Sequence, residues 1–248
     1  MELTTTVWTA ATYQEFLQDL RDLGDDHFRD RSAKIVATER PLLGIPMKTL
    51  RSLGVAISQG MPHDFLAVAG TEYYEAVIIQ GYVLSRLPLD VAYFTKLCDA
   101  YISKAENWSV CDMVIHFNQV KAFRAEFLTV IQRYLQSDNP WFQRTGLVFL
   151  LKFYLTPEFT EVALQLAVSV VSTNYYVQMG QAWLLAAAFP NQQATIYHLL
   201  RTEFSLPVVQ RTVQKIKSLR HTTTNEKASL TALLAEKRTE AKRRGGQA

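Results

Sequence analysis

Every thirty-odd residues this chain opens a new helical apolar pattern, and that period constrains its fold more than any other feature. The segments Tyr74-Glu75-Ala76, Val110-Cys111-Asp112, Phe142-Gln143-Arg144, Val177-Gln178-Met179 and Val209-Gln210-Arg211 each begin such a pattern, and successive ones lie 32 to 36 residues apart. Two helices fit in each interval. A repeat of that length built from helix pairs marks an α-solenoid, in which each unit buries its apolar face only by stacking on the next. The spacing predicts pairs over residues 63–69 with 72–87, 90–104 with 108–119, 122–136 with 140–154, 158–172 with 175–188, and 191–203 with 207–219. Prolines 88, 140, 157, 190 and 207 fall at helix starts or links, where a missing N–H costs least.

The expected fold class is therefore all-α, an α-solenoid of HEAT-like helix pairs. Strand-like alternation is scarce, and apolar residues recur three and four apart almost throughout. Before the regular pairs, Tyr13, Phe16, Leu17 and Leu20 predict a first helix and residues 27–38 a second. Pro46 then suits the first turn of a helix carrying Leu50, Leu53 and Ile57. We expect one domain over residues 1–238, with residues 239–248 as a basic, frayed tail.

Composition narrows the function. The net charge is +3, but Lys237, Arg238, Lys242, Arg243 and Arg244 fall in the last twelve residues, so the body is nearly neutral. Any phosphate-binding surface must come from local clustering of basic residues. No apolar run reaches the roughly 18 residues of a membrane span. The N-terminus has no basic start and no apolar core of a signal peptide, which points to the cytoplasm. Cys98 and Cys111 lack metal-ligand spacing and read as buried thiols, so neither metal nor cofactor is expected. No heptad seam argues for a dimer, and a monomer without an obligate protein partner is expected.

Residues four apart on a helix share a stripe. Extending the recurrent positions by one turn gives Ala76/Gln80, Trp108/Asp112, Arg144/Val148, Met179/Trp183 and Arg211/Lys215. Charge and indole recurring at equivalent places predict a lined groove, although a tryptophan in a helix more often serves packing alone. Asn107 is the better N-cap, which leaves Asp112 without a capping role. His116 follows by one more turn and offers an acid–base pair with Asp112. No serine or cysteine nucleophile shares the stripe, Cys111 being one residue off it.

The ordered pieces Pro41-Leu42-Leu43-Gly44-Ile45-Pro46, Asn107-Trp108 with Asp112, Ser137 to Arg144, Leu150-Leu151-Lys152-Phe153 and Gln178 with Ala182-Trp183 resemble the HEAT-like DNA alkylation repair glycosylases of the AlkD type. The resemblance implies that Trp108, Trp183 and Asp112 form a catalytic surface and that Arg144 helps hold the DNA backbone. Arg211 and Lys215 extend that stripe as DNA-binding residues. The chain departs from the family pattern at Leu184 to Ala188, where a basic residue often follows the second tryptophan, and in its near-neutral body.

An N3- or N7-alkylated purine carries a positive charge and leaves readily, so the sugar is the difficult partner. As the bond breaks, C1′ becomes oxocarbenium-like, and a fixed carboxylate such as Asp112 can stabilise it and orient a water. Indole faces attract cations and would favour charged lesions. The expected partner is double-stranded DNA containing alkylated purines. A different class fits the same pattern: a non-catalytic HEAT-like scaffold that binds a protein or nucleic-acid partner in the groove.

Overall fold

The computed structural model describes residues 2–88 and 90–245. Among the described residues all regular structure is helical, as the period required. The chain forms two compact units, Met1–Val130 and Ile131–Ala248.

The first unit begins with α1 (Ala10–Asp22), started by a capping box between Thr9 and Thr12. Its buried residues Tyr13, Phe16, Leu17 and Leu20 are those the spacing predicted. Tyr13 and Phe16 form an aromatic cluster with Trp8 and Phe65 of α4 (Pro62–Val68), centroids 4.9 to 6.3 Å apart; all pairs but the tilted Tyr13–Phe16 meet edge-on, the geometry that ring quadrupoles favour. Helix α2 (Asp26–Val36) starts at the Asp25 cap, buries no residue and stops at Ala37, whose φ of 50° is left-handed. Helix α3 (Met47–Ser58) has Pro46 as its N-cap rather than in its first turn.

Helix α5 (Tyr74–Leu84) is buried along its whole length. It packs broadly on α3, and Gly54 permits the approach: a Cβ there would lie 2.5 Å from Tyr82 Cβ. The Glu75 carboxylate, 2% exposed, accepts from the backbone N–H groups of Leu43 at 3.0 Å and Gly44 at 2.8 Å. The loop before α3 is thus wrapped around a buried anion. Gly44 turns it with a φ of 82°, where a Cβ would meet Asp25 O at 2.2 Å. Helices α6 (Val91–Ile102) and α7 (Trp108–Asp112) follow. Where the sequence predicted one helix over residues 108–119, α7 gives way to tighter 3-10 turns at Met113–His116 and Asn118–Ala122.

Helix α8 (Arg124–Leu135) carries the chain from the first unit to the second. There α9 (Pro140–Phe153), α11 (Tyr175–Ala188) and α13 (Leu206–Lys217) stack in sequence order. They are the second helices of the three predicted pairs, and this is the packing by which a helical repeat buries its core. Helices α10 (Thr160–Ser169) and α12 (Gln193–Thr202) flank them. Helix α14 (Thr224–Gly245) packs on α13 and buries Leu230 and Leu233. It continues to Gly245, so residues 239–245 are helical where fraying was expected, and residues 246–248 lie outside the described residues. No described helix is long and apolar enough to cross a membrane.

Candidate nucleic-acid interface

In the first unit, Asn107 starts α7 as predicted. Its side chain, 1% exposed, accepts from the N–H groups of Ser109 and Val110 and from the Ser109 hydroxyl. Tyr74 and Ser109 hydroxyls meet at 2.9 Å and tie α7 to α5. Burial pushes the Tyr74 phenol up to about 12, against the lowering effect of that hydrogen bond. On this fixed turn Trp108 and Asp112 are both half-buried, so neither is sealed in the core. The Trp108 indole donates through Nε1 to the Ile35 carbonyl at 3.2 Å, which sets the ring's orientation against the last turn of α2.

After Asp112 the chain runs at three residues per turn, and the His116 ring lies 5.3 Å from the Tyr82 ring. Burial raises the Tyr82 phenol, and Arg51 opposes the shift.

In the second unit three predicted residues share one surface. Lys215 Nζ sits 5.5 Å from the centre of the Trp183 ring. Arg211 lies 5.0 Å over Tyr175 and donates to the Pro207 carbonyl at 3.0 Å. A shallow groove of about 470 Å³ runs between α11 and α13 past Tyr175, Met179, Gln210, Arg211, Gln214 and Lys215. Both cations are thereby held over aromatic faces at the edge of an open groove, an arrangement worth roughly 0.5–1 kcal/mol per pair at exposed sites.

Arg144 is placed differently. It is only 6% exposed, and its Nη1 donates to the Tyr176 carbonyl at 2.9 Å, joining α9 to the first turn of α11. The stripe is also closed at Ala76, Gln80 and Val148, each at most 1% exposed. The half-exposed positions of the stripe are Trp108 and Asp112 in the first unit and Met179, Trp183, Arg211 and Lys215 in the second.

Aromatic residues outside the stripe stand at the helix starts. Trp141 and Tyr176 have ring centres 5.1 Å apart, and Tyr175 follows at 5.3 Å from Tyr176. Asn139 and Asn174 cap α9 and α11 two residues before Trp141 and Tyr176. The signal was present: Trp141 and Tyr176 stand 35 residues apart, the same step as Arg144 to Met179. Glu75 stands at a repeat anchor in the sequence. A carboxylate buried under a loop looks like any helical glutamate until the loop is placed.

Stacked helix pairs define a helical-repeat protein; half-exposed Trp108 and Asp112 stand in its first unit, and Trp183 with two ring-held cations in its second. The sequence matches the family model of the DNA alkylation repair enzymes over residues 16–203. More than half of the chain is covered, and the protein belongs to that family. No curated protein matches it.

Proposed function

We propose that this protein is a DNA glycosylase that hydrolyses the N-glycosidic bond of cationic N3- or N7-alkylated purines. The observation that carries the reading is α7: a buried asparagine cap and a tyrosine anchor hold Trp108 and Asp112 on one turn, both half-buried and so partly open to solvent. Rigidity matters because a carboxylate stabilises a developing cation only if it need not reorganise as the bond breaks. Asp112 stabilises the oxocarbenium-like sugar and orients the attacking water. The bond between C1′ and the purine nitrogen breaks, its electron pair neutralises the purine, and water gives its oxygen to C1′ while losing a proton.

Trp108, fixed through Ile35, and Trp183, backed by Lys215, flank the cationic nucleotide in this proposal. Arg211 and Lys215 hold backbone phosphates. Any phosphate contact by Arg144 passes through the small exposed part of its guanidinium, and its other task is to hold the start of α11. The substrate is double-stranded DNA, acted on by a cytoplasmic monomer without a cofactor.

The test incubates the protein with duplex DNA containing N3- or N7-methylpurines and measures released base. Asp112→Asn should lose on the order of a hundredfold in rate, about 3 kcal/mol in the barrier. Full activity in that variant refutes the mechanism. Arg211→Gln should lower the salt dependence of DNA binding by about one counterion without changing sequence preference. The burial of Arg144 favours the second reading, a non-catalytic scaffold on the same surface, and no release above the spontaneous rate would select it.

A further inference from the structure

The second unit carries another concave surface, between α10 and α12. Helices α9, α11 and α13 stack closely, whereas α10 and α12 make no comparable contact with each other. Between them lies a trough of about 660 Å³. Its apolar wall consists of Leu164, Val168 and Leu199, and two exposed carboxylates, Glu161 and Glu203, line it without any basic residue among the lining side chains. Val168 and Glu203 also line a second cavity of about 270 Å³, which extends the trough to Val171. Val171 is 93% exposed, the most open large hydrophobic residue among the described residues.

We propose that this trough binds a basic amphipathic helix of a partner protein. An apolar floor between two acidic positions selects an occupant with a narrow apolar stripe and lysine or arginine beside it. The fit in length is good: the ten residues of α10 span about 15 Å, the length of an equal stretch of partner helix laid alongside. Nucleic acid is disfavoured, because the charged lining groups are carboxylates. A protein so equipped binds DNA through one surface and a basic protein segment through another, and the second activity does not depend on the chemistry assigned to Asp112.

The experiment titrates the full chain with a fluorescent helical peptide of leucines three and four apart and lysines between them, followed by anisotropy. A matched peptide with glutamate in place of lysine is the control. The lysine peptide should bind, the glutamate peptide should not, and added salt should weaken the complex. Leu199→Glu should weaken binding about tenfold or more, and so should the surface double variant Glu161→Lys/Glu203→Lys, which leaves the apolar wall intact. Thermal melts and base release should be unchanged in the double variant. Absence of binding, equal binding of both peptides, or affinity indifferent to the double variant overturns the proposal. A concentration-dependent dimer dissolved by Leu199→Glu would assign the trough to a second copy of this chain and overturn it too.

Discussion

Removing the Glu75 carboxylate should unmake the loop ahead of α3. That carboxylate, 2% exposed, accepts from Leu43 N–H at 3.0 and 3.1 Å and from Gly44 N–H at 2.8 Å. The Ile45 N–H at 3.5 Å adds little at that length. Glu75→Ala strands two backbone donors, each worth about 1–3 kcal/mol when buried and unpaired. With the cavity added, the cost should be about 3–5 kcal/mol. Glu75→Gln keeps an oxygen for Gly44 but sets an NH₂ group against Leu43, and should cost about 1–2 kcal/mol through that mismatch and the lost charge. Urea unfolding followed by far-UV circular dichroism measures both. At a slope near 2 kcal/mol per molar, the alanine variant should shift the midpoint by about 2 M. An alanine cost under about 1 kcal/mol, or a glutamine variant as damaging as the alanine one, would refute the account of the loop as folded around an anion.

Three further outcomes follow from the packing. Trp108→Phe removes the Nε1 donor to Ile35, and because α2 buries no residue, amide exchange in its last turn should quicken while that of α5 stays slow. Gly54→Ala drives a Cβ to 2.5 Å from Tyr82 Cβ and should cost about 1–3 kcal/mol in a thermal or denaturant melt; an unchanged melt would show that α3 and α5 can separate freely. The Tyr74 phenol is raised from 10 to about 12 by burial, so its contribution is present in full below pH 10 and is lost as pH rises towards 12. Stability should fall by about 1.4 kcal/mol from this group by pH 11, and Tyr74→Phe should flatten that part of the pH profile.

The alkylation repair fold was legible because its signal is periodic. Tyr13, Phe16, Leu17 and Leu20 lie on one buried face of α1 as their spacing demands, and the recurrent second helices α9, α11 and α13 stack in the order the repeat implies. Local chemistry was legible too: Asn107 caps α7 with its own side chain, an interaction confined to neighbouring residues. The proximity of Lys215 to Trp183 also follows the repeat, since equivalent stripes on stacked helices face the same way.

Burial was not legible from the stripe. A helix wrapped on every side, as α5 is, has no free face, so Ala76 and Gln80 occupy groove positions in register but not in exposure. Arg144 is only 6% exposed, and the group that its guanidinium bonds, the carbonyl of Tyr176, lies 32 residues later. After Asp112 the helix tightens to 3-10 geometry, which the apolar spacing did not signal, and the His116 ring lies beside Tyr82. Sequence by itself determined the period, the helices and the caps, since these depend on residues within one or two turns. Tertiary structure alone decided which charged and aromatic groups reach solvent, because that depends on which distant backbone arrives to cover or to bond them.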